Sequence, residues 1–368
     1  MIYLDHNATT PPDERVVEAM LPYLRQLYGN PSSLYRLGRI ARSAVDTARE
    51  QVAALIDAPA AQIVFTNGGT EANALALSSA RNRRLWISAI EHPAVTENAV
   101  RQSERYTAIN TLPADTYGLV LPGMLAEQSP QAGDFVSLML ANNETGAVQP
   151  VAEWAAATRA VGGLLHTDAV QAAGKIPVSF KQLGADLMSL SSHKIYGPKG
   201  CGALVWRADV DVRPLIYGGD QERGLRAGTE NVAAIVGFGK AAELARLELD
   251  DRLARMQSLR AGLEQQLKTI PGLVIFAERV PRLPNTVQFG IPGVNGEMLL
   301  MQLDQKNIAV SSGSACAAGS GQISPVLAAM GVADSLAKSA IRVSLGKDNT
   351  AREIDEFVSV LKALLARV

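Results

Sequence analysis

The sequence predicts an α/β fold built on a mostly parallel central sheet, and two observations carry that expectation. Short apolar runs recur at 63–65, 84–88, 135–140, 163–166 and 185–189, each followed by a turn and often by a helical segment. Such alternation of short apolar runs with turns and helices indicates a parallel sheet covered by helices on both faces. Residues 232–269 then change texture: they are nearly free of helix breakers and rich in Ala, Leu, Glu and Arg, so they predict long helices leading away from the sheet.

The other elements follow in chain order. After Pro11 and Pro12, the spacing of Val16, Val17, Met20, Leu21 and Leu24 predicts a helix that Gly29, Asn30 and Pro31 stop. A second helix is expected over 37–55. Beyond the long helices the pattern is mixed, with strands expected at 273–276, 286–289 and 339–344 and a helix at 296–304. Thr350 and Glu353 have capping-box spacing, and Ile354, Phe357, Val358, Leu361, Leu364, Leu365 and Val368 then share one helix face. A length of 368 residues suits roughly two domains at about 150 residues each. The expected division is a large domain at 12–255 and a small domain at 256–368 joined by the arm 1–11.

Composition excludes several functional classes. Hydrophobic residues make up 47% and charged residues 19%, as in globular proteins. Lys plus Arg number 35 against 36 Asp plus Glu, so charge gives no reason to expect direct binding of nucleic acid or an anionic membrane. The N-terminus has no basic stretch followed by an apolar core, and no segment nears the roughly 18 apolar residues of a membrane span. A cytoplasmic location is expected. Two cysteines, Cys201 and Cys316, make no disulfide framework, and without clustered Cys and His no protein-held metal is expected.

Three segments carry chemistry. Asn67-Gly68-Gly69-Thr70-Glu71 lies between an expected strand and an Ala-rich helix, where free backbone amides and the helix dipole suit an anion; it also suits an ordinary strand-to-helix turn. His166-Thr167-Asp168-Ala169-Val170-Gln171 puts a carboxylate just past a strand, as a ligand group for a cation or as a helix N-cap. Ser191-Ser192-His193-Lys194 puts an amine after another strand, where it can condense with an aldehyde or stand as a solvated lysine. Together they match the three needs of pyridoxal 5′-phosphate: an anion site, a partner for the pyridine nitrogen and an amine for the carbonyl carbon.

The order of motifs resembles the NifS/IscS-type cysteine desulfurases, a branch of the fold-type-I pyridoxal-phosphate enzymes in the class-V aminotransferase family. The resemblance runs through Tyr-Leu-Asp-His-Asn-Ala-Thr-Thr at 3–10, Gly-Asn-Pro-Ser-Ser at 29–33, Gly-Thr-Glu at 69–71 and Glu-His-Pro at 91–93. It continues with Asn-Asn-Glu-Thr-Gly at 142–146, the Asp168 and Lys194 segments, Glu-Arg-Gly-Leu-Arg-Ala-Gly-Thr-Glu at 222–230, Ser-Gly-Ser-Ala-Cys at 312–316 and Ile-Arg-Val-Ser-Leu at 341–345.

The resemblance implies that Lys194 bonds the cofactor aldehyde, Asp168 keeps the ring nitrogen protonated, Gln171 contacts the phenolic oxygen and His92 stacks on the ring. It implies that Gly69, Thr70, Ser191 and His193 hold the phosphate, with Thr229 supplied by the other subunit of a homodimer. Asn143 and Arg342 would hold the substrate carboxylate, and Cys316 would take sulfur from L-cysteine as a persulfide, leaving alanine. His92 is the expected base for the Cys316 thiol, because a free thiol is mostly protonated near neutrality. The run of Gly, Ser and Ala around Cys316 suits a loop that collects sulfur inside and delivers it outside to an acceptor protein, for iron-sulfur clusters or for thiolation of nucleic acids or cofactors. Cys201 reads as a packed strand residue.

Two features depart from the family pattern: Tyr35 stands where a His is usual, and residues 320–325 replace an acidic, proline-bearing stretch. The chain also ends at Val368, where many members of that family continue into a tail. These leave the acceptor open. A selenocysteine lyase or related lyase, and a non-catalytic subunit of a sulfur-transfer assembly, stand beside the main reading.

Overall fold

The computed structural model describes residues 1–125, 131–312 and 323–366. After β1 (Ile2–Tyr3), seven strands form one sheet: β2 (Ile63–Thr66), β3 (Arg84–Ser88), β4 (Ala108–Leu112), β5 (Phe135–Ser137), β6 (Leu164–Asp168), β7 (Leu187–Ser191) and β8 (Gly202–Trp206). Their spatial order is β2-β8-β7-β6-β5-β3-β4. All neighbours are parallel except β8, which runs antiparallel to both β2 and β7. Every residue of β2, β5 and β7 is buried, including the hydroxyl residues Thr66, Ser137, Ser189 and Ser191 among their mostly apolar side chains.

The apolar pattern does not predict β4. It is an edge strand with only Leu112 buried, so it lacks the continuous apolar run that marks its neighbours. The run at 135–140 leaves the regular strand after Ser137 yet stays beside β6, with Leu138 and Leu140 amides donating to the carbonyls of His166 and Asp168. Helices flank the sheet, and the long pair Val232–Leu247 and Leu249–Leu267 follows it as expected. Residue 255 lies inside the second of these helices.

The remaining strands are β9 (Val274–Ile275), β10 (Thr286–Gly290), β11 (Ile308–Ala309) and β12 (Ile341–Ser344). β9, β10 and β12 form an antiparallel sheet in the order β12-β10-β9, and β11 pairs in parallel with β1. Its core takes in Leu4, Val287, Phe289 and Leu303. The helix Ala351–Leu365 adds Ile354, Phe357, Val358, Leu361 and Leu364, each contributing about 1.5–3 kcal/mol by leaving water. Its capping box is formed: the Glu353 amide donates to Thr350 Oγ1 at 3.3 Å and the Thr350 amide to Glu353 Oε2 at 2.7 Å.

The N-terminal arm joins the two cores. The Leu4 amide donates to Ala309 O, the His6 amide to Ser344 O, and the Thr10 amide reaches His193 O beyond β7. Residues 7 and 8 are thereby laid across the carboxyl end of the large sheet.

Candidate active site

The carboxyl ends of the parallel strands carry most of the predicted residues. Gly69 and Thr70 follow β2, His92 follows β3, Asn143 follows β5, Asp168 ends β6 and Lys194 follows β7. Open parallel sheets bind ligands at this edge because the connections splay apart there. These residues, with Gln171, Ser191 and His193, line a cavity of about 280 Å³. An adjoining cavity of about 220 Å³ shares Ala8, His92, Asn143, Gln171 and Lys194 and adds Glu91, Glu144 and Arg342.

One end of the larger cavity suits a phosphate. The helix Gly69–Ser78 opens without a side-chain cap, since its N-cap is Gly68, so its first amides are left for another acceptor. A Cβ on Gly69 would lie 2.9 Å from Val170 Cγ2, which keeps the position a glycine. Ser191 Oγ is buried without a hydrogen-bond partner among the described residues, a polar atom that a phosphate oxygen would satisfy. His193 Nδ1 lies 3.1 Å from Thr9 Oγ1, and burial pushes its pKa down to about 4, with the charges of Lys194, Lys199 and Lys175 adding to the effect.

At the other end stand the amine and the carboxylate. Lys194 Nζ donates to the carbonyls of Asn7 at 2.5 Å and Ala8 at 2.7 Å. Burial brings its pKa down to about 8; Arg342 lowers it further, while Asp168 and Asp5 oppose. Asp168 is buried and anchored, accepting from Asn73 Nδ2 at 2.7 Å through Oδ2 and from the Val170 amide at 2.9 Å through Oδ1. The amine, the anchored carboxylate and the anion end thus fit pyridoxal phosphate, with Lys194, Asp168 and the Gly69 helix start facing one cavity.

His92 meets the structure differently from its expected role as a base. It is the N-cap of Pro93–Arg101, and its Nδ1 accepts the Ala94 amide at 3.0 Å. A backbone amide can only donate, so the neutral ring carries its proton on Nε2 and presents a donor from that edge. Burial lowers the His92 pKa and favours this neutral form, with Asp168 opposing and Lys194 adding.

Arg342, on β12, is buried and pairs with Asp5 Oδ1 at 2.6 Å, and its Nη1 donates to Asn143 O at 3.0 Å. Both Arg342 and Asn143 line the smaller cavity. Thr229 is exposed and lines neither cavity of its own chain. Cys316 lies outside the described residues. Cys201 immediately precedes β8, is 2% exposed, and burial pushes its thiol pKa well up, so it is a packed, unreactive group.

Sequence reasoning missed several residues. Asn7 is buried, and its carbonyl accepts from both Lys194 Nζ and Gln171 Nε2. Asn73 holds Asp168, one turn into the helix that follows the glycines. Glu91 is buried, accepts from Ser88 Oγ and the Met139 amide, and its pKa is pushed up to about 8 by burial. Glu144 accepts from Ser324 Oγ at 2.5 Å, and burial raises its pKa. The motifs at 3–10, 91–93 and 142–146 contain Asn7, Glu91 and Glu144 without marking their roles, whereas no local pattern distinguishes Asn73 from ordinary polar residues.

The chain matches the model of the aminotransferase class-V family over residues 2–357. It is 41% identical over 374 residues to a protein named cysteine desulfurase IscS from Dictyoglomus turgidum, covering all of this chain and 95% of that one. A solved structure described as a NifS-like protein superposes with a TM-score of 0.92 at 37% identity, covering all of both chains. Another, titled SspA in complex with cysteine, gives 0.83 at 28% identity over 95% of this chain and all of that one. With its mostly parallel sheet and strand-end lysine, the chain belongs to the class-V aminotransferase family of pyridoxal-phosphate enzymes, in the group of the cysteine desulfurases.

Proposed function

We propose that this chain is a pyridoxal-phosphate-dependent cysteine desulfurase that converts L-cysteine to L-alanine and carries the sulfur on Cys316 as a persulfide. The observation that carries the reading is the placement of Lys194, Asp168 and the uncapped helix start at Gly69 around one cavity, in a chain 41% identical to a cysteine desulfurase. The reaction balances as cysteine plus enzyme thiol giving alanine plus enzyme persulfide: the Cβ–S bond breaks, an S–S bond forms and Cβ gains a proton.

In this reading Gly69, Thr70, Ser191 and His193 hold the phosphate, with Thr229 of a second copy in a homodimer. Exposure of Thr229, away from its own cavities, supports that assignment. Asp168 pairs with the ring nitrogen, Gln171 faces the phenolic oxygen and His92 lies against the ring. Bound here, the cofactor supplies an electron sink for the pair released at the substrate Cα. Lys194, with its pKa near 8, can take and return the Cα proton near neutral pH. Arg342 and Asn143 orient the substrate carboxylate from the smaller cavity. Neutral His92 offers a hydrogen bond through its Nε2–H and, with Nδ1 engaged by the Ala94 amide, has no free lone pair with which to act as the base for the thiol.

The domain reading is a large lobe at 12–255, carrying the seven-stranded sheet, and a small lobe formed by 256–368 with the arm 1–11. One apolar cluster drawn only from 12–255 and another drawn only from the arm and 256–368 support it, while a third packs Phe276, Leu283, Val326 and Leu327 of the small lobe against the large one. The sulfur is passed to an acceptor protein, with no direct role for nucleic acid or membrane. Among the described residues no helix is long and apolar enough to cross a membrane, in keeping with the cytoplasmic location proposed here.

The test is to add L-cysteine to the purified protein, alkylate it and map the cysteine peptides by mass. Extra sulfur is expected on the Cys316 peptide, with alanine formed one for one. Cys316→Ser should keep the cofactor spectrum and its change on adding cysteine but form no persulfide, and Cys201→Ser should match the parent. Extra sulfur on the Cys201 peptide, or undiminished sulfur transfer by Cys316→Ser, would refute the reading.

A further inference from the structure

One lysine beneath the site makes no ion pair among the described residues. Lys175 is 5% exposed, and its Nζ donates to Gln171 Oε1 at 2.7 Å and to Asn7 Oδ1 at 3.0 Å. Both acceptors are neutral amides. Burial lowers its pKa strongly, and the charges of Lys194 and Arg342 add to the effect. An amine kept in such a place is costly, and an apolar residue of similar volume would serve packing better.

What the amine does is visible in Gln171. The two ends of an amide side chain are nearly the same size, so its hydrogen bonds decide which end faces a ligand. Two independent contacts agree here. The Lys175 amine donates to the carbonyl end, as it does to Asn7 Oδ1. The Asn7 main-chain carbonyl is purely an acceptor and takes the NH₂ end at 2.9 Å. The second N–H of Nε2 has no partner among the described residues, and Gln171 lines both cavities.

We propose that Lys175 is a positioning residue of the cofactor site, locking Gln171 in the one orientation that offers an N–H, and not a carbonyl, to the phenolic oxygen of pyridoxal phosphate. This rests on the reading of Gln171 given above. With the amide free to turn, its carbonyl would face that oxygen part of the time, and two acceptors repel.

The test uses the holoenzyme and follows its visible spectrum against pH. An N–H donated to the phenolic oxygen draws charge from it and weakens its hold on the proton it shares with the Lys194 linkage. Loss of that bond therefore raises the spectral pH midpoint. Gln171→Leu should raise it by about half a pH unit or more, on the scale of one hydrogen bond. Lys175→Met should raise it in the same direction by at least half as much, and the double variant no further than Gln171→Leu alone.

A parent-like midpoint in Lys175→Met beside a shifted Gln171→Leu would overturn the proposal while leaving the reading of Gln171 intact. Additive shifts would also overturn it, because Lys175 would then act by its own charge or through Asn7. An unshifted Gln171→Leu overturns the reading of Gln171 and the proposal with it. Should Lys175→Met fail to fold, Lys175→Gln tests the same contact with a polar side chain whose amide can accept as well as donate, and it should raise the spectral midpoint toward that of Gln171→Leu. A parent-like midpoint would contradict the pairing.

Discussion

The amine of Lys194 attacks an aldehyde only as the free base, so its proton affinity sets how readily the protein captures its cofactor near neutral pH. Burial brings the pKa to about 8. At pH 7 about one-tenth of such an amine is unprotonated, against roughly three parts in ten thousand for an ordinary lysine, a gain of about 300-fold in reactive form. Trace acylation of the cofactor-free protein between pH 6 and 10, read by mass spectrometry on the Lys194 peptide, should show a midpoint near 8. The same peptide in the urea-unfolded chain should titrate near 10.5, about 2.5 pH units higher.

Two substitutions should move that midpoint in opposite directions. Asp168→Asn removes a carboxylate that favours the ammonium and should lower it, whereas Arg342→Met removes a cation that disfavours the ammonium and should raise it. Asp168→Asn should therefore be labelled more readily at pH 7 and yet turn over almost no cysteine, since the ring nitrogen loses its anionic partner. A parent midpoint at 10 or above, or movement of both variants in one direction, would refute the reasoning.

The same lysine couples to stability. Its folded pKa lies below its unfolded value, so between pH 8 and about 10.5 the unfolded chain holds a proton that the folded chain lacks, and stability rises with pH across that window. Below pH 8 the penalty is present in full. The urea stability of the cofactor-free parent relative to Lys194→Met should accordingly climb from pH 8 to 10; a flat difference would contradict it. A further prediction concerns the buried pair Arg49 and Glu222, which meet through two hydrogen bonds of 2.7 Å while Glu222 also accepts the Phe65 amide. Glu222 and Arg223 hold left-handed φ values of 47° and 61° on the way to Thr229, a conformation that non-glycine residues adopt only at a cost. Arg49→Met leaves a buried carboxylate unpaired and should cost about 3–5 kcal/mol in urea denaturation, with Glu222→Gln added to it restoring part. A loss under about 1 kcal/mol would show the pair to be dispensable.

The sequence by itself determined those features that depend on local pattern. The buried strands β2, β3, β6 and β7 announced themselves through short apolar runs alternating with turns and helices, and the C-terminal helix because its capping box precedes a single apolar face. The strand-end positions of Asp168 and Lys194 were legible for the same reason. Only the tertiary structure decided how groups distant in the chain complete one another. Asp5 and Arg342 are 337 positions apart yet form an ion pair. Asn7 from the arm holds Lys194 and Gln171 through one carbonyl. The Ala94 amide turns the proton of neutral His92 to Nε2. The antiparallel course of β8 and the polar edge strand β4 were likewise set by strand pairing. Periodicity records which face of an element meets the core. It does not record which partner that face meets, because that choice depends on how separate elements pack.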